Sequence, residues 1–210
     1  MDEELRRELQ SLRMAVEGLT QVVLRQEAKS KGGLAGAQLQ AERQGADALV
    51  LPEGALSVGQ SLPHAAQVEV LSGGFRDVDG ALRSAVLRFE PGQLDPAQAI
   101  DKHRLVPLGE WIPGGRWLSW AGLSAVGGVS FGEPSRLLAR PAGAVGVAIC
   151  YEIADGSALA AAARDGAGWL LASANLDPYP AQLQGQFAAL AQLRAIETGR
   201  WLVSAANTGP

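Results

Sequence analysis

The chain has 210 residues, 47% of them hydrophobic, with 19% charged and a formal net charge of −4. That length and apolar content suit one large domain with its own core. Acids and bases are interspersed without a basic stripe or an RNA-binding aromatic motif, which argues against nucleic acid as a partner. The single cysteine excludes an internal disulfide and leaves a free thiol.

No apolar run reaches the roughly 18 residues that read as a membrane span. The opening Met1-Asp-Glu-Glu-Leu-Arg-Arg7 lacks the apolar core of a signal peptide. Residues 3–28 carry Leu5, Leu9, Leu12, Val16, Leu19 and Val23 at helical spacing, which predicts an amphipathic helix; Thr20–Arg25 also fits a short strand. The same seam also fits a helix that mediates association. Lys29-Ser-Lys-Gly-Gly33 breaks that segment, so 1–33 reads as an N-terminal helical unit and 34–210 as the main domain.

Leu34–Gly45 reads as a helix closed by glycine, and Ala48–Leu51 as a short buried strand before a loop over 54–66. Ala66–Phe75 and Ala81–Phe89 read as a β-hairpin turning at Asp79-Gly80. Asp95–Ala99 suggests a helical turn. Residues 107–134, rich in Gly, Trp and Pro, read as a long loop. Arg136–Ala139 and Val145–Ile149 pair as strands. Asp155 or Ser157 caps a helix to Asp165, and Gly168–Ser173 is a buried strand ending at Asn175. Gln182–Thr198 is a long helix with Phe187, Leu190, Leu193 and Ile196 near one face, and Arg200–Ala205 is a last strand ending at Asn207. Alternating strands and helices make the fold α/β.

Three groups sit where such strands end. Cys150 follows the apolar run Val145–Ile149, at a strand-to-helix turn that lifts a side chain above a sheet edge. A thiol there is a nucleophile once a base or a positive neighbour activates it; the plainer reading is a buried core cysteine. Glu53 follows Leu49-Val-Leu-Pro52 and suits a general base, or a solvated charge at a strand exit. Lys102 suits an ammonium that lowers a thiol pKa and stabilises an oxyanion; Asp101, His103 and Arg104 beside it suit an ordinary surface cluster equally well. Glu110 and Glu152 suit orienting Lys102 or acting as further acids. His64 and His103 are weak candidates for a base. Two histidines and one cysteine without ligand spacing make no metal site, and no phosphate loop is present, so neither metal nor cofactor is expected.

Together these segments resemble the nitrilase (carbon–nitrogen hydrolase) superfamily, whose Glu–Lys–Cys triad comes in this order. Leu51-Pro-Glu-Gly54, Asp101–Glu110 and Ala148-Ile-Cys-Tyr-Glu152 are similar to its three motifs. Lys102-His-Arg-Leu-Val-Pro-Leu-Gly-Glu-Trp-Ile-Pro113, Gln192–Arg200 and Ala205–Gly209 resemble its apolipoprotein N-acyltransferase branch more closely. The resemblance covers about residues 34–210 and implies an α-β-β-α sandwich, here incomplete at both ends relative to that branch. It implies Glu53 as general base, Lys102 as oxyanion stabiliser and Cys150 as nucleophile. The Tyr151 backbone amide would assist the oxyanion, with Glu110 and Glu152 in support.

The implied reaction moves an acyl chain from a phospholipid, through a Cys150 thioester, to the N-terminal amine of a diacylglyceryl-cysteine lipoprotein. The branch works at the bacterial inner membrane with this domain on the periplasmic side, held by membrane helices that this chain lacks. The segment 109–132 suits a lipid-facing loop or an ordinary ordered one. The rival readings are a soluble amidase using the same triad with water as acceptor, and an inactive fragment.

Overall fold

The computed structural model describes residues 22–23, 33–107, 109–111 and 128–208. The expected helix over 3–28 and most of the Trp-rich loop lie outside these residues. Val22–Val23 are an exception and a correction: they form a strand, β1, rather than helix. This is the short-strand alternative for Thr20–Arg25, and β-branched residues favour it.

Helix α1 (Gly33–Arg43) precedes β2 (Ala48–Leu56), and the hairpin β3 (Glu69–Val78) and β4 (Ala81–Phe89) follows. Asp79 and Gly80 both have positive φ, 54° and 79°, which is what a two-residue turn between right-twisted strands requires. β5 (Gln98–Asp101) completes a five-stranded sheet in the order β1-β2-β3-β4-β5. β1, β2 and β3 run parallel, and the β3–β4 and β4–β5 pairs are antiparallel. The helical turn expected at 95–99 is therefore wrong: 95–97 form no helix, and 98–99 are strand. Ala97 N donates to Arg88 O at 2.8 Å, and the ladder to β4 outweighs the local Asp-Pro helix signal.

The second sheet has the order β6-β7-β8-β9: Leu137–Leu138, Val145–Ile149, Trp169–Ala174 and Leu202–Ala206. β7, β8 and β9 are parallel, so each crossover carries a helix. These are α2 (Gly156–Arg164), capped by the Asp155 side chain on Ser157 N, and α3 (Ala181–Thr198), closed by Gly199 at φ 62°.

Strand periodicity splits the first sheet's side chains between two cores. Leu49, Leu51, Val70, Leu87 and Phe89 pack with α1, while Val50, Leu71, Val86 and Ile100 belong to the core that contains the second sheet and the α2 and α3 residues Leu159, Ala162, Phe187 and Ala191. The layers are thus α, β, β, α, as expected. A direct bond joins the sheets where Ser173 Oγ on β8 donates to Leu51 O on β2 at 3.3 Å. The face proposed for the long helix needs correction: Phe187 is buried, but Ile196 is 79% exposed. Buried Arg194 occupies the inward position between Leu193 and Ile196.

β2 is irregular between Leu51 and Leu56. Pro52 has no N–H for the ladder and Gly54 adopts φ 75°, so the strand breaks step and re-aims Glu53. The neighbouring strand accommodates this only because residue 73 is glycine: a Cβ there would meet the Pro52 carbonyl at 2.5 Å and the Glu53 Cα closer still. Gly73→Ala should therefore lower stability by about 1–3 kcal/mol, the usual range for overpacking. The midpoint of denaturant unfolding reads this directly; an unchanged midpoint would contradict the steric argument.

Candidate active site

The strand ends converge. Glu53 lies in the irregular stretch of β2, Lys102 directly follows β5, and Cys150 directly follows β7. Asn175 and Asn207 directly follow β8 and β9. The carboxyl ends of parallel strands are where open α/β sheets generally bind ligands.

Lys102 is fully buried, not part of a surface cluster. Its Nζ donates to Glu53 Oε1 at 3.1 Å and to Glu110 Oε1 at 2.6 Å. Burial acts to lower its pKa, but Glu53, the Cys150 sulfur and Glu110 outweigh it and hold Lys102 above its ordinary value. The ammonium is thus charged throughout the physiological range. Glu53 Oε1 also accepts from Ser84 Oγ at 3.2 Å, and Glu53 Oε2 accepts from Asn175 N at 3.2 Å. Glu110 Oε2 accepts from Val106 N at 2.8 Å, which turns the segment after Lys102 back toward its ammonium.

Cys150 opens the short 3-10 helix Cys150–Ala154 and has φ 50°, a left-handed conformation rare for a side-chain-bearing residue. Such strain gathers at functional sites. The thiol is buried, and burial followed by the Glu53 charge pushes its pKa up to about 12, Lys102 opposing. At neutral pH this sulfur holds its proton beside a carboxylate. Tyr151 exposes its side chain but stands second in the 3-10 helix, among the first amides of a helix, which have no intrahelical acceptor.

Glu152 plays a different part from Glu110. It does not touch Lys102 Nζ; it accepts from the backbone amides of His103 at 2.6 Å, Arg104 at 3.0 Å and Ile149 at 2.8 Å, and from Arg136 Nη1 at 2.9–3.0 Å. Neither histidine reaches the site as a base: His103 Nδ1 donates to Gly132 O, and His64 faces Glu42. Among the described residues no cluster of His, Cys, Asp and Glu has the makings of a metal site.

Two clefts meet at Cys150. One, about 240 Å³, includes Glu53, Glu110 and Asn175. The other, about 280 Å³, is walled by Ile153, Leu176, Leu183, Phe187 and Leu190. Cys150, Val106 and Tyr179 border both. Sequence reasoning missed Ser84, Asn175, Tyr179 and Arg136. The asparagines carried a signal, since each closes a parallel strand as Cys150 does. Asn207 Nδ2 donates to Asn175 Oδ1 at 2.7 Å, and Asn207 Oδ1 accepts from Leu176 N at 2.8 Å, holding the β8 exit beside Glu53.

The four-layer α-β-β-α sandwich that brings Glu53, Lys102 and Cys150 together has the fold of nitrilase-superfamily structures. The pattern of the carbon-nitrogen hydrolase family matches residues 60–210, and the chain belongs to that family. Solved structures of the same fold include an amidase of the nitrilase superfamily from Nesterenkonia AN1, 18% identical, TM-score 0.59, covering 83% of this chain and 68% of that one. Saccharomyces cerevisiae Nit3 aligns with TM-score 0.57 at 17% identity, covering 83% of this chain and 69% of Nit3.

More similar in sequence are relatives named apolipoprotein N-acyltransferase. One from Prochlorococcus marinus is 55% identical over 171 residues, 81% of this chain and 35% of the relative. Another, from Parasynechococcus marenigrum, is 52% identical over 181 residues, 86% of this chain and 39% of the relative. The chain thus spans little more than a third of the length of these relatives. No helix among its described residues is long and apolar enough to cross a membrane.

The thiol shift makes a pH prediction. The ordinary thiol value is 9.0 and the folded value about 12, so between them the folded state keeps a proton that the unfolded chain has lost. This contribution to stability is intact below 9.0 and is lost as pH rises from 9.0 through about 12. Denaturant unfolding across that window should show a steeper alkaline loss for the wild type than for Cys150→Ala. Parallel slopes would refute the raised thiol pKa.

Proposed function

We propose that residues 34–210 form the catalytic domain of an apolipoprotein N-acyltransferase, using Glu53, Lys102 and Cys150 as its triad. The observation that carries this reading is Cys150 at the border of two clefts, one holding both carboxylates and the other walled by apolar side chains suited to an acyl chain. The names of the relatives at 52–55% identity support it.

The reaction follows from the charges. The thiol is buried, and with two carboxylates and one ammonium around it a resting thiolate would add a second net negative charge, so the thiol stays protonated. Glu53 takes that proton as sulfur attacks the ester carbonyl of a phospholipid. The negative charge then moves onto the carbonyl oxygen, where the Lys102 ammonium and the Tyr151 amide stabilise it. Collapse of the tetrahedral adduct breaks the ester C–O bond, and Glu53 returns its proton to the departing lysophospholipid alkoxide. Cys150 is left as a thioester.

The acceptor amine of a diacylglyceryl-cysteine then attacks the thioester carbonyl and gives up a proton through Glu53. The C–S bond breaks, the sulfur regains its proton, and an amide leaves. Glu110 keeps Lys102 charged and aimed, while Glu152 holds the backbone on both sides. The expected partners are a phospholipid donor and a lipoprotein acceptor, at the periplasmic face of the bacterial inner membrane.

Incubating the protein with phospholipid in detergent should add one acyl mass, which neutral hydroxylamine removes. Cys150→Ala should gain none; an adduct on that variant would defeat the assignment of the nucleophile. Ammonia release from small amides without acyl adduct would instead indicate an amidase.

The apolar cleft makes a separate prediction. Leu183→Asp places a charge where methylenes would bind, each worth about 0.8 kcal/mol on burial. Acylation by a long-chain phospholipid should fall at least tenfold, roughly 1.4 kcal/mol or two methylenes' worth, while acetylation by a short activated ester stays near wild type. Equal losses for both donors would place the chain elsewhere.

A further inference from the structure

Cys150 and Lys102 belong to different sheets, yet the proposed chemistry needs them in one fixed relation. We infer that Arg136 is the positioning residue that sets it, by clasping the backbone before Lys102 to the carboxylate that holds the backbone before Cys150. The inference rests on the proposed acyl transfer for its functional meaning.

The geometry is closed on all sides. After one last bond to β4 the chain leaves its ladder, and its backbone groups must find other partners. Lys102 N donates to Ser84 O at 2.8 Å and Lys102 O accepts from Gly132 N at 2.9 Å. The three remaining ties lead to one buried ion pair. Asp101 O accepts from Arg136 Nη2 at 2.7 Å, and the amides of His103 and Arg104 donate to Glu152 Oε1. Glu152 Oε2 meanwhile accepts from Ile149 N, the residue before the nucleophile. Arg136 Nη1 bonds both Glu152 oxygens, and Nη2 also donates to Glu133 O at 2.6 Å.

Arg136 is only 4% exposed and Glu152 2%. A planar guanidinium can face a carboxylate with one nitrogen and a carbonyl with the other; a lysine ammonium cannot hold that fork. The clasp therefore reaches Asp101 and Ile149 at once, the residues before Lys102 and Cys150. It touches neither Nζ nor sulfur, so its effect runs through placement of the ammonium over the developing oxyanion.

Two reactions at the same sulfur separate this from a merely structural role. Attack on an activated ester such as p-nitrophenyl octanoate passes through an oxyanion, whereas alkylation by iodoacetamide does not. In Arg136→Met, ester acylation of Cys150 should fall about a hundredfold, the scale of a misplacement near one ångström, with alkylation within about threefold of wild type. Arg136→Lys keeps the charge opposite Glu152 but not the fork, and should lose at least about tenfold in acylation alone.

Thermal unfolding of both variants is followed in parallel, and where the Met variant does not fold the Lys variant decides. Equal loss in both reactions, or no loss in either, overturns the inference. Because the ester is not a phospholipid, a wild-type protein that accepts the ester but no phospholipid overturns the donor assignment and leaves the test of Arg136 intact.

Discussion

A fully buried ammonium is the constraint around which the site is built. Taking a charge of this kind out of water costs several kcal/mol even after relaxation, so Lys102 requires partners from outside its own strand. It finds Glu53 on β2 and Glu110 on the following segment. Those two pairs bind three separate stretches of chain to one point. They also leave the pocket with an excess of negative charge, which adds to burial in keeping the neighbouring thiol protonated. Under the proposed mechanism, the same surroundings favour a base-assisted attack in place of a preformed thiolate.

Bringing these groups together takes local departures from regular structure. Glu53 depends on a proline that gives up a ladder bond and a glycine at positive φ, with Gly73 opposite to make room. Cys150 holds φ 50° at the mouth of its sheet, a conformation costing of order 1–3 kcal/mol for a residue with a side chain. The buried bonds of Glu152 and Arg136 lie beside that turn and over-determine it. The regular parts of both sheets supply the opposing stiffness, since β7 and β8 are buried along nearly their whole length.

Much of this could be read from the chain. Alternating elements indicated α/β, the Asp79-Gly80 turn fixed the hairpin, and Lys102 and Cys150 stood just past strand ends, whereas Pro52-Glu-Gly54 marked a break inside β2, which runs on to Leu56 where a loop was expected. What escaped depends on contacts distant in sequence. Nothing local distinguishes Lys102 from its charged neighbours; its buried contacts with Glu53 and Glu110 do. Arg136 reads as an ordinary strand residue, because its partners Asp101 and Glu152 lie on opposite sides of it in the chain. β5 was masked by Asp95-Pro96, a helix-start signal that pairing with β4 overrides. On α3, the inward place given to Ile196 is taken by Arg194, a long side chain that buries its stem and pairs with Glu197.

For the proposed acyl transfer, the two clefts at Cys150 give the order of events a physical basis. A thioester places its carbonyl at the sulfur, with its chain free to follow the apolar wall of Leu183, Phe187 and Leu190. That leaves the polar cleft, with Glu53 and Glu110, clear for whatever attacks next. A single shared cleft would make donor product and acceptor compete for the same space. With separate ones, the proposed transfer would let the lysophospholipid depart and the acceptor amine arrive beside Glu53 while the acyl chain stays seated. The net charge around Lys102 is unchanged at each half-reaction, because the proton that Glu53 accepts balances the charge that moves to the oxyanion. The buried ammonium therefore never loses its compensation during the cycle, and one preorganised lysine can serve both the acylation and the transfer.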